Sequence, residues 1–176
     1  MAWLGKRRRR RQAAQLWHRA ILNKARDPEL YQQGLVPDTL EGRFQMVTLA
    51  TTLVLRRLRE VDPDGRALAD AVYRDVFSGF DHALREEGVG DSSIARKMRK
   101  RGEEFFGLAR AVDTALASED VAAKLAETIE RNGISEPEHS RDMAEWVKTA
   151  ADALELVSGE DMLSGNGVWS DAAVQS

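Results

Sequence analysis

Along most of the chain apolar residues recur every three or four positions, and no stretch alternates with a period of two. That spacing predicts helices and no strands. The first predicted helix covers residues 12–25, with Trp17 and Ile21 on one side and Ala14 behind them. Asp27-Pro28 closes it, because the residue before proline is pushed out of helical geometry. A loop through Gly34 and Pro37 leads to a second helix that opens near Asp38. Asp38 is a natural cap, and Glu41 three positions on completes a capping box. Phe44, Val47, Leu53, Val54 and Leu58 form its main stripe, and Met46, Leu49 and Leu55 cover much of the other side. A helix apolar nearly all round is expected at the centre of the fold. Arg56, Arg57 and Arg59 in its last turn suit the negative end of the helix dipole.

Asp62-Pro63 opens a third helix, with Leu68, Val72, Val76, Phe80 and Leu84 at strict four-residue spacing. The turn Gly88-Val89-Gly90-Asp91-Ser92-Ser93 leads to a fourth, carrying Ile94, Met98, Phe105, Ala109, Val112 and Leu116. Ser118-Glu119-Asp120 starts a short fifth helix, and Asn132-Gly133 stops it. Ser135 with Glu138 reads as a second capping box, ahead of a last helix carrying Met143, Trp146, Val147, Ala150, Leu154 and Val157. Phe44 and Phe105 are expected in the core. The result is an all-α fold, one compact domain of about six helices. Residues 1–26 are a basic arm and first helix, 27–158 the helical domain, and 159–176, rich in Gly, Ser, Asn and Asp, a loose tail.

Composition narrows the chemistry. A chain of 176 residues is long enough to bury one substantial core. With no cysteine there are no disulfides, thiolate metal sites, iron–sulfur ligands or cysteine nucleophiles, which fits a reducing compartment. His18, His82 and His139 lie far apart, with no HExxH spacing. There is no GxSxG elbow, no P-loop and no DDxxD run, and Asp75 and Asp81 are six apart, off a shared helix face. An enzyme is therefore not expected, nor a metal or cofactor. An all-α enzyme of lipid or isoprenoid metabolism, one rival reading, would need acidic pairs facing one another across helices.

The net charge of −3 conceals a split. Residues 1–26 hold nine cations and no acid, so the remainder carries 17 basic against 29 acidic residues, a net of −12. The run Lys6, Arg7, Arg8, Arg9, Arg10, Arg11 should seek anionic partners, with Trp3, Leu4 and Trp17 adding apolar contact at an interface. The plainer reading is a disordered solubilising tail. The residues after the charges are too polar for a secretory signal, and the longest uncharged hydrophobic run, 44–55, is too short to span a bilayer. A soluble or peripheral protein is expected. A second cluster, Arg96, Lys97, Arg99, Lys100 and Arg101, reads either as a solvated face, with Arg99 and Lys100 pairing with Glu103 and Glu104, or as a docking surface for an acidic or phosphate-bearing partner. A nucleic-acid- or ribosome-binding module acting through the arm is the other rival. The acidic body argues against binding beyond the arm, and no motif for sequence-specific recognition is present.

The stretch Pro37-Asp38-Thr39-Leu40-Glu41-Gly42-Arg43-Phe44, leading into Leu53-Val54-Leu55-Arg56-Arg57-Leu58-Arg59, resembles the ubiquinol–cytochrome c chaperone family. So does Gly88-Val89-Gly90-Asp91 followed by a basic helix and Phe105-Phe106-Gly107. Tyr31 and Gly34 stand before the first motif as in the family, and Phe77, Phe80, Asp81 and Leu84 fit its spacing between the two. The resemblance covers about residues 28–117; within it Thr48-Leu49-Ala50-Thr51-Thr52 is smaller and more polar than the family pattern. It implies a helical assembly factor for the cytochrome bc1 complex, with no catalytic residue or cofactor. Mitochondrial members act on newly made cytochrome b near the ribosomal tunnel exit, with a small partner protein, and bacterial members would act on cytochrome b around its insertion. On that reading Asp38, Glu41 and Arg43 combine with Arg96, Lys97 and Lys100 to bind cytochrome b. The arm then keeps the protein at the ribosome or the anionic inner face of the cytoplasmic membrane.

Overall fold

The computed structural model describes residues 2–61, 63–86, 88, 90–166 and 169. Asp62 and Val89, and the side chains of Trp3 and Ser92, on which expectations fell, lie outside the described residues. The described residues form helices and no strand: α1 Ala2–Ala25, α2 Pro28–Gln32, α3 Leu40–Val61, α4 Pro63–Glu86, α5 Asp91–Leu116, α6 Val121–Arg131, α7 Ser140–Glu155 and α8 Gly159–Ser164. A single 3₁₀ turn, Pro137–His139, precedes α7. The six expected helices are α1 and α3 to α7; α2 and α8 are additional short ones.

α3 lies at the centre, packed against α1, α4, α5, α7 and α8. Every residue from Thr48 to Leu55 is buried. Two of the three hydroxyls in the small polar run inside that stretch are satisfied locally, while Thr48 Oγ1 is buried with no hydrogen-bond partner among the described residues. Thr51 Oγ1 donates to the Val47 carbonyl at 2.6 Å and Thr52 Oγ1 to the Thr48 carbonyl at 3.0 Å, so both hydroxyls are satisfied within the helix. Their short side chains let neighbouring helices approach. Arg57 at the far end of α3 donates to the Leu154 and Val157 carbonyls at 3.3 and 3.1 Å, capping the C-terminus of α7. Arg56 meets Glu155 at 2.7 Å, with Glu60 and Asp113 nearby. These arginines brace α3 against α7 rather than only serving their own helix dipole.

Three expectations are corrected. The first helix does not begin at 12: α1 is unbroken from Ala2 to Ala25, so Lys6 to Arg11 ride on a helix and not on a disordered tail. Lysine and arginine are good helix formers but leave no apolar period to read. Residues after 158 are not uniformly loose, because α8 docks on α1. The Ser158 hydroxyl caps α8 by accepting from the Asp161 N–H at 3.1 Å, and Met162 is buried. Trp169 also packs back, its indole donating to the Ala150 carbonyl at 3.0 Å. The Ser135–Glu138 box does not form. Ser135 is buried, and Pro137 opens the 3₁₀ turn from which α7 starts.

Trp17 joins α1 to α8. It is fully buried, and its Nε1 donates to the Met162 carbonyl at 2.8 Å. It is core and offers nothing to an external interface.

Candidate functional site

The two sequence motifs meet in space. The Arg101 guanidinium on α5 makes a bidentate pair with Glu41 of α3, at 2.7 and 2.6 Å. It also lies over the Phe44 ring at 3.8 Å and reaches Glu104 at 3.1 Å. Fork-to-fork pairing fixes direction as well as distance, so this contact sets the angle between the start of α3 and the middle of α5. Arg43 turns the other way, to Asp38 at 2.7 Å and over the Tyr31 ring at 5.3 Å. The Tyr31 hydroxyl donates to the Ala25 carbonyl at 2.6 Å and ties α2 to the end of α1.

The start of α3 is held by a cap different from the expected one. Thr39 Oγ1 accepts from the Gly42 N–H at 3.0 Å, while Asp38 and Glu41 are committed to arginines. Thr39 and Asp38 are both good caps. The tight turn that brings the Thr39 N–H to the Pro37 carbonyl, at 2.8 Å, selects Thr39.

Beside this junction runs an apolar groove of about 380 Å³. The end of α1 contributes His18, Leu22 and Arg26, and the start of α3 contributes Leu40, Arg43, Phe44 and Val47. The second half of α4 adds Val76, Phe80, Ala83 and Leu84, and α5 adds Arg101. Helix geometry explains why α4 lines it. Four residues turn a helix by about 400°, so a strict four-residue stripe drifts about 40° per step. Leu68, Val72 and Val76 are buried, whereas Phe80 and Leu84 have rotated out of the core and stay half-exposed. Phe44, expected in the core, is half-exposed in this groove; Phe105 is buried as expected.

The groove is one end of an aromatic chain. Ring centroids run from Phe44 to Phe80 at 4.4 Å, to Phe77 at 5.4 Å and to Tyr73 at 4.2 Å. Tyr73 then meets Phe105 at 5.2 Å and Phe106 at 5.6 Å. All five phenylalanines of the protein belong to it, and Phe106 ends it 53% exposed. At the groove edge, burial holds the His18 imidazole below its ordinary range, opposed by Asp75 and reinforced by Arg26.

The sequence-derived site residues are therefore distributed. Arg43 lines the groove, and Asp38 and Glu41 stand just behind it, orienting its arginines. Arg96, Lys97 and Lys100 are exposed on α5 and outside the groove lining, Lys100 being 3.5 Å from Glu104. Of the arm, Lys6 pairs with Asp64 at 2.7 Å, Arg7, Arg8, Arg9 and Arg11 are exposed, and Arg10 is half-buried. His18, Leu22, Arg26, Phe80 and Leu84 were not expected at a site. The drift of the α4 stripe is the one sequence signal that points to two of them.

The Glu41–Arg101 pair has a pH signature. The hydrogen bond from Arg101 is the largest influence on Glu41 and holds its carboxyl below the ordinary 4.5. A lowered folded-state pKa means stabilisation that is fully present above pH 4.5 and lost as pH falls through the folded value. Because Glu41 is largely exposed, Glu41→Gln should cost less than about 1 kcal/mol at neutral pH. Urea midpoints of the two proteins should differ at pH 7 and converge as pH is taken below 4.5. A gap that does not change with pH would show that the carboxylate charge is irrelevant.

The family model described as ubiquinol-cytochrome C chaperone matches residues 32–169, running past the two motifs through α6 and α7. Human ubiquinol-cytochrome c reductase complex assembly factor 1 is 22% identical over 160 residues, which is 89% of this chain and 54% of that protein. The Mus musculus protein of the same description is 21% identical over 153 residues, 86% of this chain and 52% of that protein. The chain thus spans about half the length of the curated relatives it matches. The crystal structure of the Cbp3 homolog from Brucella abortus superposes with a TM-score of 0.82 at 30% identity, over 94% of this chain and 92% of that one. Among the described residues no helix is long and apolar enough to cross a membrane. With its motifs joined through Arg101, its match over residues 32–169 and its shared architecture, the chain belongs to the ubiquinol–cytochrome c chaperone family.

Proposed function

We propose that this protein is a non-enzymatic assembly chaperone that binds newly made cytochrome b and supports biogenesis of the cytochrome bc1 complex. It would act on the cytoplasmic side of the membrane. The observation that carries the reading is the apolar, aromatic-lined groove at the place where the two family motifs meet. An unassembled membrane protein exposes apolar segments that aggregate unless they are covered. An amphipathic helix or helix end can lay its apolar face against Phe44, Val47, Phe80 and Leu84 while Arg26 and Arg43 meet its polar side. The exposed cations Arg96, Lys97 and Lys100 then serve polar client loops, and the basic half of α1 holds the protein near a polyanion, the ribosome or the inner membrane face.

Leu40 and Ala83 line the groove and are exposed, so Leu40→Glu with Ala83→Glu places charge in it without disturbing the core. In a strain lacking the gene, the b-type haem signal of membranes should fall in a reduced-minus-oxidised spectrum. Wild type should restore it, the double variant should not, and the variant should capture cytochrome b at least about tenfold less, the effect of about 1.4 kcal/mol. An unchanged spectrum on deletion would reject the assembly role. Full rescue by the double variant would reject the groove and leave the α5 cations, tested by charge reversal at Arg96, Lys97 and Lys100, as the client surface.

A further inference from the structure

The basic half of α1 is more than a charged tail. Its inner half is locked into the core by Ala13, Ala14, Trp17 and Ile21, so Lys6 to Arg11 project on a rigid helix. At 100° per residue the six cations spread over two sides of that helix, with Arg10 shared between them. Lys6, Arg9 and Arg10 line a hollow that also holds Asp64 and Glu160, so this side is largely neutralised. On the other side Arg7, Arg8, Arg10 and Arg11 line a hollow of about 580 Å³ shared with α4, which contributes Arg74 and Asp75. Arg8, Arg11 and Arg74 share that hollow with the Asp75 carboxylate, and Leu4 stands at its open end, 64% exposed. Like charges at three- and four-residue spacing repel and weaken a helix. Holding Arg8, Arg11 and Arg74 around one hollow creates a positive field suited to an anionic ligand.

We infer that the α1–α4 arginine face, with Leu4 at its edge, docks onto an anionic phospholipid bilayer. The exposed leucine beside the arginines favours a lipid surface, whose headgroup region takes up an apolar side chain, over nucleic acid. Here α4 packs along one side of α1 and α8 along another. What remains open beside them is the arginine face with Leu4 at its edge, cations and an apolar side chain together, which suits a headgroup layer. Leu4 can enter the headgroup region, while the −12 of the remaining chain is repelled and turns outward. The inference is independent of what the apolar groove binds.

The test is co-sedimentation of the full chain with vesicles of phosphatidylcholine alone or with about one third phosphatidylglycerol, enough negative charge to attract basic segments. Binding should require the anionic lipid and fall with salt. Arg8→Ala, Arg11→Ala and Arg74→Ala should each weaken partitioning about fivefold, as expected for one cation at such a surface. Arg96→Ala and Lys97→Ala, equally exposed but on α5, should not. All five positions are exposed, and unchanged thermal unfolding confirms that each variant is folded. Wild-type binding by Arg74→Ala would remove α4 from the surface and overturn the two-helix site. Equal losses from the α5 variants would show nothing more than net charge. Tighter binding to a hairpin RNA than to anionic vesicles would reassign the face to nucleic acid.

Discussion

Replacing Trp17 with alanine should destabilise the protein by about 4 kcal/mol, in the usual range for removing a fully buried tryptophan. For a domain of this size that lowers the melting temperature by roughly 8–16 °C. The loss has two parts. The indole fills space between α1 and the centre of the core, and the cavity it leaves cannot collapse while α1 stays helical. It also donates the hydrogen bond to the Met162 carbonyl, the tie between residues 145 apart in sequence. Trp17→Phe separates the parts, since it keeps most of the volume and leaves that carbonyl unpaired, at about 1–3 kcal/mol. Urea unfolding followed by circular dichroism measures both variants. Limited proteolysis should cut the alanine variant first around 158–165, because α8 rests on this bond and on Met162. A cost below about 1 kcal/mol would mean that α1 stands outside the cooperative core, and the rigid carrier for the arginine face would go with it.

What could be read from the sequence, and what could not, follows from the range of each signal. The long helices are legible because a buried stripe repeats every three or four residues, and α3 reads as central because it is apolar on nearly every side. The N-terminal half of α1 is not legible because a run of cations has no apolar period. α2 and α8 are not legible because five or six residues are too short to show one. The groove is harder still. Core and groove use the same residue types, so Phe44 and Phe105 look alike in sequence, yet one lines a groove and the other is buried. Arg101 is legible as part of a basic cluster, and Glu104 as a partner of Lys100, a pair that stands at 3.5 Å. Glu41 is not legible as the partner of Arg101, lying 60 residues away on another helix. Local patterns specify elements; the site depends on which elements cross.

Gly42→Ala should lower stability by about 3 kcal/mol, or roughly 6–12 °C in melting temperature, although in an open helix the same change stabilises by about 1 kcal/mol. The sign reverses because of what stands over the first turn of α3. A Cβ at Gly42 would lie 2.1 Å from the Pro37 carbonyl oxygen and 3.2 Å from Val36 Cγ1. Neither neighbour can yield cheaply. The Pro37 carbonyl accepts from the Thr39 N–H, the Val36 N–H donates to the Leu30 carbonyl, and Leu35 and Val36 are buried. The helix start must shift, and with it Glu41 and Phe44, which have to meet Arg101 at fixed geometry. The glycine in Pro37-Asp38-Thr39-Leu40-Glu41-Gly42-Arg43-Phe44 is thus what lets the preceding loop cross α3 closely enough to set the mouth of the groove. Gly107→Ala is the matched control, since nothing lies within 4 Å of its added carbon, and it should be neutral or slightly stabilising. Thermal unfolding of the two variants side by side decides the matter. If Gly42→Ala melts with or above Gly107→Ala, the loop yields freely and does not fix the groove. If it melts far below and also loses cytochrome b capture, the motif glycine holds a close backbone approach on which the proposed client site depends.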